Sequence, residues 1–351
     1  MLQYDKKNII YSAVLLVVLL GVWFYRNNNQ NSQNADNQEN KKLMVANGET
    51  MGTTYTAKYL DTKGRNLKRE IDSILIAFNQ CLSTYIPDSE ISTFNNQTDS
   101  IQFKLPFFYP VLKRSQEVFE ASEGAFDPTV LPLVKAWGFG PNRKDQIEKP
   151  KIDSLLQLIG FQNLKFNELG IKKLKKNIQI DFNAIAQGYA VDVVGDFLQE
   201  HKIEDFMVEI GGEILCKGKN EEGNFWTIGI ENPQFDETGG QQQIQAIVKM
   251  ENRALATSGN YRKFYVKDGK KYAHTINPKT GYPVQHSLLS ASVLASDAMS
   301  ADAFATAMMV LGKDKAIELA RKQNLAIFLV YDENGQTKTY TSEGLNLVIP
   351  K

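Results

Sequence analysis

The segment 296–312, SDAMSADAFATAMMVLG, limits the possible folds more than any other part of the chain. Its apolar spacing predicts a helix over 297–311, with Ser296 or Asp297 as the N-cap and Gly312 at the end. Nearly every side chain in between is apolar. We therefore expect this helix to be buried almost all round.

Asp302 and Thr306 interrupt that apolar helix, and they share a face because they are four residues apart. A carboxylate at such a position is costly unless it is paired or bound to a cation. One interpretation is a buried Asp that accepts hydrogen bonds from neighbouring backbone. The other is a hard-cation site, because one carboxylate with hydroxyl or carbonyl oxygens suits Mg²⁺, which shares its shell with substrate phosphate.

The rest of the chain after residue 42 alternates strand and helix patterns without a repeat or a second linker. The fold class predicted is α+β, with two lobes, antiparallel sheets and packed helices. A hairpin is expected around KDGKKY, 267–272. Strands are predicted over 54–60, 178–182, 206–210, 226–230, 245–250, 261–267, 288–295 and 326–331, and further helices over 65–82, 110–121 and 184–200.

The first forty residues do not resemble a folded domain. Residues 9–25 are an apolar run near the short end of what spans a bilayer, and Lys6 and Lys7 before it place the N-terminus in the cytoplasm. A cleaved signal peptide is the alternative, although no small-x-small cleavage site follows. We therefore expect an anchor or signal segment at 1–26, a polar tether at 27–42 and one continuous globular domain at 43–351.

Composition narrows the classes of partner and site. Forty basic and forty acidic residues cancel, which argues against a nucleic-acid partner. Cys81 and Cys216 are the two cysteines and lie far apart in sequence, which excludes a structural zinc site and a disulfide scaffold. A single bridge between them and two reduced thiols both remain open.

Two further segments carry polar groups at positions that favour function. DFNAIAQGYAVD, 181–192, leads into a helix whose free N–H groups favour phosphate, although its Gly188 could equally serve close packing. HTINPKTGYPV, 274–284, places His274, one of three histidines, before a turn-rich loop. A lone histidine is more often structural than catalytic, so this segment alone decides nothing.

The order of these segments is more specific than any one of them. MGTTY (51–55), SEI within 83–95, GAFDPTV (124–130), WGFG (137–140), DFNAIAQGYAVD, EIGGEI (209–214), IGIENP (228–233), ATSGNYRKF (256–264), HTINPKTGYPV and DAMSADAFATA follow one another along the chain. In this combination the sequence resembles the FAD:protein FMN transferases, the ApbE-type flavin transferase family. The likeness covers almost everything from residue 50 to residue 312.

The resemblance implies an exported, magnesium-dependent enzyme with FAD as substrate, bound in a cleft between two lobes. Such enzymes split FAD, attach FMN to a Thr or Ser hydroxyl of a partner protein and release AMP. The partner expected is a flavoprotein subunit of a membrane redox complex. The location expected is the cytoplasmic membrane, crossed once, with the catalytic domain on the periplasmic side.

The resemblance also assigns roles to individual residues. Asp302, Thr306 and the main-chain carbonyl of Ala184 would hold the metal, and His274 is the candidate base because its ordinary pKa lies close to working pH. Two departures from the family pattern are Phe182-Asn183 and Gln187, which stands where the family often has Lys. The expected flavin contacts are Met51, Tyr85, Ala125, Phe126, Asp127, Asp181, Gln187, His274 and Thr275.

Two other functions fit the same residues. One is an FAD pyrophosphatase, in which water replaces the protein acceptor and the products are FMN and AMP. The other is a tethered flavin-binding protein without turnover, which would need no base.

Overall fold

The computed structural model describes eight stretches of the chain. They are residues 41–97, 99–138, 147–231, 244–259, 264–267, 270–273, 275–345 and 347–348, and only the backbone of 264–267 and 270–273 is described. Two compact units divide these residues: 41–43 with 61–65, and 44–60 with everything from 66 onward. In the small unit, Arg65 donates to both carboxylate oxygens of Asp61 and holds the pKa of that carboxyl below its usual range.

Sixteen strands and eight α-helices are formed by the described residues. The strands are β1 Lys42–Thr50, β2 Thr53–Asp61, β3 Ser100–Gln102, β4 Leu164–Asn167, β5 Gly170–Lys173, β6 Phe206–Ile210, β7 Glu213–Lys217, β8 Trp226–Glu231, β9 Ile244–Met250, β10 Ala254–Gly259, β11 Phe264–Lys267, β12 Lys270–Ala273, β13 Leu288–Ala295, β14 Ala326–Glu333, β15 Gln336–Thr341 and β16 Leu347–Val348. The helices are α1 Lys68–Leu82, α2 Glu90–Asn96, α3 Phe108–Ala121, α4 Leu131–Trp137, α5 Lys149–Leu156, α6 Ala186–Glu200, α7 Ala298–Leu311 and α8 Lys313–Lys322.

An eight-stranded sheet organises the larger unit, in the order β1-β2-β6-β7-β10-β13-β14-β15. The pairs from β2 to β15 are antiparallel, and β10 pairs with β13 through partners such as Ala254 and Ala295. Side chains alternate between the two faces of these strands. Ala254 and Ala256 therefore join the main core, while Leu255 joins a second cluster with residues of β8 and β9.

Helices α6 and α7 pack on the main-core face of this sheet, against β6, β7, β10 and β13. Asp297 caps α7 by accepting from the N–H of Ser300, and Gly312 ends the helix. Every residue of α7 is buried except Met299, Thr306 and Leu311, which are partly buried. The expectation of a helix enclosed almost all round is therefore confirmed.

The mixed α/β fold with antiparallel sheets agrees with the predicted class, and the two-lobed arrangement stays a prediction. The four helices predicted over 65–82, 110–121, 184–200 and 297–311 are found within a few residues of those bounds. The hairpin expected at 267–272 is the β11–β12 pair.

The strand predicted over 178–182 was wrong. The Asn95 side chain accepts from the Ile180 N–H at 2.8 Å and donates to the Ile180 carbonyl at 2.9 Å. The next N–H, of Asp181, donates to the Pro128 carbonyl. One asparagine and one carbonyl therefore satisfy backbone groups that a neighbouring strand would otherwise serve.

Two other expectations concern the cysteines and the membrane. Cys81 and Cys216 are both free and buried, so the disulfide alternative was wrong. Within the described ranges, no helix combines the length and the apolar character needed to cross a bilayer. The predicted span at 9–25 and residues 27–40 of the predicted 27–42 tether lie outside those ranges, and Lys42 already belongs to β1.

Candidate metal and flavin site

The Asp302 carboxylate lies where the N-terminal turn of α6 meets α7. Asp302 is only 6% exposed, and its Oδ2 accepts a hydrogen bond from the Gly188 N–H at 3.1 Å. Gly188 is the third residue of α6, so this N–H is one of those that a helix N-terminus leaves without an internal partner. The carboxylate therefore occupies the position that a helix N-terminus offers to an anion.

Gly188 is the reason that the two helices approach so closely. A Cβ at this position would come within 2.1 Å of the Ala298 carbonyl oxygen and 2.8 Å of Asp302 Cβ. Only glycine leaves room for that approach. We refer to Gly188, Ala298 and Asp302 as the α6–α7 junction.

Ala184 lies one turn before Gly188 at the same end of α6. If α6 continued backward by a turn, the Gly188 N–H would bond to the Ala184 carbonyl. That N–H instead donates to Asp302. The Ala184 carbonyl thus lacks this partner at the place where the resemblance expects a main-chain metal ligand.

Thr306 lies one turn after Asp302 and faces β10. Its Oγ1 is 3.2 Å from the Ser258 Oγ, and either hydroxyl could be the donor. Ser258 lies within the motif ATSGNYRKF, but nothing in the sequence assigns its hydroxyl a role. Its position beside Thr306 depends on β10 packing against α7, which no local pattern in the sequence indicates.

The oxygen atoms of the Asp302 carboxylate, the Thr306 hydroxyl and the Ala184 carbonyl are of the kind that Mg²⁺ binds. Burial raises the pKa of Asp302 to about 7, while the Gly188 N–H opposes that shift. A cation beside the carboxylate would restore its charged form. The described residues contain no group of three or more His, Cys, Asp or Glu side chains that could hold a metal. A site here would therefore combine one carboxylate with hydroxyl and carbonyl oxygens, a set that Mg²⁺ accepts because it keeps waters and substrate phosphate in its shell.

Two glycine turns lie at the same N-terminal end of α6. The Gly211 N–H donates to the Thr54 carbonyl, which joins the EIGGEI turn to the MGTTY turn. A Cβ on Gly211 would meet the Gln187 Nε2 at 2.5 Å. Met51 lies in the MGTTY turn with φ at 52°, a left-handed conformation uncommon for a side-chain-bearing residue. The predicted contacts Met51 and Gln187 thus belong to neighbouring segments.

Asp127 and Asp181 lie near each other because the Asp181 N–H bonds to the carbonyl of Pro128, the residue after Asp127. Asp127 accepts from the Thr129 N–H at 2.8 Å and from the Thr129 hydroxyl at 2.6 Å, which caps the short 3₁₀ turn Pro128–Val130. The Asp181 N–H donates to the Pro128 carbonyl, and the Asp181 carboxylate accepts from Asn183. Burial raises the pKa of Asp127 to about 6 and raises that of Asp181 as well.

The loop 275–284 contacts residues on both sides of Asp127, although it lies far from them in the sequence. Trp137 Nε1 donates to the Gly281 carbonyl at 2.8 Å. A Cβ on Gly124 would lie 3.7 Å from the Lys279 Cε. The Thr275 carbonyl accepts from the Val284 N–H, which closes the loop. His274, the predicted base, lies outside the described residues.

The remaining predicted contacts differ in exposure. Phe126 is 2% exposed within the main core and Ala125 is 3% exposed, whereas Tyr85 is 82% exposed. Packing therefore holds the Phe126 ring, and the Tyr85 ring lies at the surface. Their contact with a flavin stays a prediction.

Comparison with known proteins adds to this geometry. The model of the ApbE family matches residues 51–329. The FAD:protein FMN transferase of Haemophilus influenzae is 39% identical over 310 residues, which cover 84% of this chain and 88% of that protein. The FAD:protein FMN transferase of Vibrio cholerae is 36% identical over 311 residues, covering 87% of this chain and 92% of the relative.

Solved structures resemble the chain over a similar length. The flavin transferase ApbE from Vibrio cholerae matches with a TM-score of 0.76 at 36% identity, covering 86% of this chain and 98% of the other. The apo form of the Pseudomonas stutzeri flavinyl transferase ApbE matches with a TM-score of 0.78 at 34% identity, covering 86% and 95%.

Proposed function

The chain belongs to the ApbE family and is an enzyme, and we propose that it is a magnesium-dependent FAD:protein FMN transferase. The reaction proposed moves FMN from FAD to a Thr or Ser hydroxyl of a partner protein and releases AMP. The observation that carries this proposal is the Asp302 carboxylate, buried at the N-terminus of α6 with the Thr306 hydroxyl one turn away.

Asp302, Thr306 and the Ala184 carbonyl would hold the ion. When bound, Mg²⁺ supplies positive charge that offsets the charge on a pyrophosphate. The protein residues do the rest of the positioning. The close approach at Gly188 holds α6 against α7, so that the carboxylate and the hydroxyl are fixed before FAD binds.

The transfer breaks one bond and forms one. The acceptor hydroxyl oxygen bonds to the phosphorus of the FMN half, and the bond from that phosphorus to the bridging oxygen breaks, so AMP leaves with that oxygen. A Thr or Ser hydroxyl is a weak nucleophile at neutral pH, and a base within hydrogen-bond reach removes its proton. His274 is the residue proposed for this step.

The products separate this reaction from its alternatives. The full chain is incubated with FAD, Mg²⁺ and a candidate acceptor, and the acceptor band is examined for flavin fluorescence on a denaturing gel. A fluorescent band with matching AMP supports transfer. Free FMN and AMP without a labelled acceptor would point to the pyrophosphatase. If neither a labelled acceptor nor free FMN is formed, the protein binds flavin without turnover.

A variant tests the base in the same assay. His274→Ala should still bind FAD but should not label the acceptor. Labelling at the wild-type rate would remove His274 from the proposed role.

We also propose that the acceptor is a flavoprotein subunit of a membrane redox complex and that the enzyme acts outside the cytoplasm. The support for this location is the apolar run at 9–25 with the polar tract 27–40 behind it. A long polar tether suits an enzyme that must reach a membrane-bound acceptor.

A further inference from the structure

A second carboxylate, that of Asp192, joins the same two helices. Asp192 lies on α6, one turn after Gly188, and is half-buried. Its Oδ1 accepts the Ala298 N–H and its Oδ2 accepts the Met299 N–H, both at 2.8 Å. These are the first two residues of α7. One side chain on α6 therefore satisfies two of the N–H groups that the start of α7 leaves open.

The N-terminus of α7 is served by carboxylates from two places. Asp297, the residue just before the helix, accepts from Ser300, whereas Asp192 comes from more than a hundred residues earlier. A local cap such as Asp297 stabilises the start of a helix but does not fix where that helix lies against its neighbour. The bonds from Asp192 do fix it, since charge-assisted hydrogen bonds to two successive N–H groups are directional.

Hydrogen bonds between the two helices run in both directions. Asp192 of α6 accepts from the N-terminus of α7, and Asp302 of α7 accepts from Gly188 near the N-terminus of α6. Each carboxylate lies one turn beyond the N–H groups that its own helix donates. A slide of α7 along α6 would break both sets of bonds, so the bonds made by Asp192 also determine where Asp302 lies.

We propose that Asp192 is a positioning residue for the metal site, holding α7 at the axial position that places Asp302 and Thr306 where they bind Mg²⁺. This inference rests on the proposed function, because it needs the metal site to be real. Asp192 makes no contact with the ion in this account and acts through α7. Residues that orient metal ligands in this way typically change metal affinity by about 10- to 100-fold when they are substituted.

The test compares Asp192→Asn with Asp196→Asn in the full chain. An amide at 192 can accept with one oxygen only, so one of the two bonds to α7 is lost. Asp196 lies one turn further along α6 and is exposed, so its substitution makes the same carboxylate-to-amide change on the same helix. Calorimetric titration with Mg²⁺ alone measures affinity without turnover. Melting temperature, and the dependence of the rate on Mg²⁺ and on FAD, are measured in parallel.

We expect D192N to bind Mg²⁺ about 10- to 100-fold more weakly than the wild type, while D196N binds as the wild type does. Excess Mg²⁺ should restore the rate of D192N, and its KM for FAD should change little. A D192N protein with wild-type Mg²⁺ affinity would overturn the inference, even if its melting temperature falls, because that result describes a purely structural residue.

Two further outcomes are informative. If D192N does not fold, Asp192→Glu keeps the charge and displaces the carboxylate by one methylene, and the same affinity loss is expected. If neither variant folds, the carboxylate serves folding rather than the metal, and the inference is wrong. If the wild type itself binds no Mg²⁺, the metal-dependent function fails first, which the wild-type titration alone reveals.

Discussion

Asp302 is the single residue on which the proposed metal site depends most. Its carboxylate is enclosed by apolar helix and has one described hydrogen bond, to the Gly188 N–H. This contact matches the plain structural interpretation of a buried Asp bonded to backbone. The Thr306 hydroxyl one turn away and the diverted N–H at Gly188 are what favour the cation site as well.

Asp302→Asn keeps the size of the side chain and removes its charge. Since an amide is a poor ligand for Mg²⁺ beside pyrophosphate, we expect acceptor labelling to fall by more than the roughly 10- to 100-fold typical of residues that only orient ligands. The matched pair Thr306→Val and Thr306→Ser separates hydroxyl from shape, and only the valine variant should lose labelling. Magnesium-independent labelling by the Asn variant would contradict the assignment.

Asp127 predicts a pH dependence of stability in the FAD-free protein. Burial raises its pKa from 3.8 to about 6, so the folded state holds a proton that the unfolded state has released between those pH values. The free energy of unfolding contributed by this group therefore falls as pH rises from about 4 to about 6. One unit of pKa corresponds to about 1.4 kcal/mol. The change from 3.8 to about 6 therefore lowers the free energy of unfolding by at most about 3 kcal/mol.

Asp127→Asn measures that contribution, because the amide oxygen still accepts from Thr129 and does not titrate. Wild type and variant should unfold at similar denaturant concentrations near pH 4, and the wild type should become relatively weaker by pH 7. The exposed Asp88→Asn serves as the control. A stability difference between wild type and D127N that stays flat across this range would contradict the burial argument.

The close approach of helices α6 and α7 predicts that one added methyl group has a strong effect. Gly188→Ala places a Cβ against a backbone carbonyl, which cannot move without shifting α7. We expect a loss of stability of about 1–3 kcal/mol, together with weaker Mg²⁺ binding because Asp302 moves with the helix. Chemical unfolding and Mg²⁺ titration measure the two effects.

Gly195→Ala on the same helix is the control for that substitution. A Cβ there meets the end of the Leu215 side chain at 2.7 Å, which can adopt another rotamer. Its cost should be smaller and its Mg²⁺ affinity unchanged. Equal losses of stability at the two glycines would mean that the close contact with the Ala298 carbonyl is not what makes the substitution costly.

Elements were predictable from the sequence where one local signal decides them. The helix over 297–311 followed from its apolar run, and Asp302 stood out because a carboxylate interrupts that run. The segment 178–182 has the β-branched composition of a strand, but the Asn95 side chain serves its backbone. Strand β10, ALATSG, is rich in small residues and was not predicted, because its place between β7 and β13 comes from tertiary pairing.

For the site, the sequence predicts the contacts within one helix but not the contacts between elements. Asp302 and Thr306 are four apart on one helix, so their proximity follows from the helix period. Ser258 and Asp192 reach α7 from other elements, and their contacts exist only once α6, α7 and β10 have packed. Pairwise contacts of this kind cannot be read from one sequence without the fold.

In the full-length protein, the apolar run at 9–25 predicts that catalysis and membrane attachment are separable. A variant beginning at residue 41 should label a soluble acceptor at close to the wild-type rate and should no longer sediment with membranes. Fractionation followed by immunoblotting measures the second effect. A full-length protein found entirely in the soluble fraction would favour the cleaved signal peptide over the anchor.

Everything proposed for this enzyme depends on a divalent cation that binds at the α6–α7 junction beside the pyrophosphate of FAD. The most direct measurement is a crystal structure of the protein with FAD and Mn²⁺ in place of Mg²⁺, with anomalous scattering recorded to locate the ion. We expect an anomalous peak at direct-coordination distance, about 2 Å, from an Asp302 carboxylate oxygen, the Thr306 hydroxyl and the Ala184 carbonyl. Bound FAD with no peak at Asp302, or with the ion held elsewhere, would contradict it.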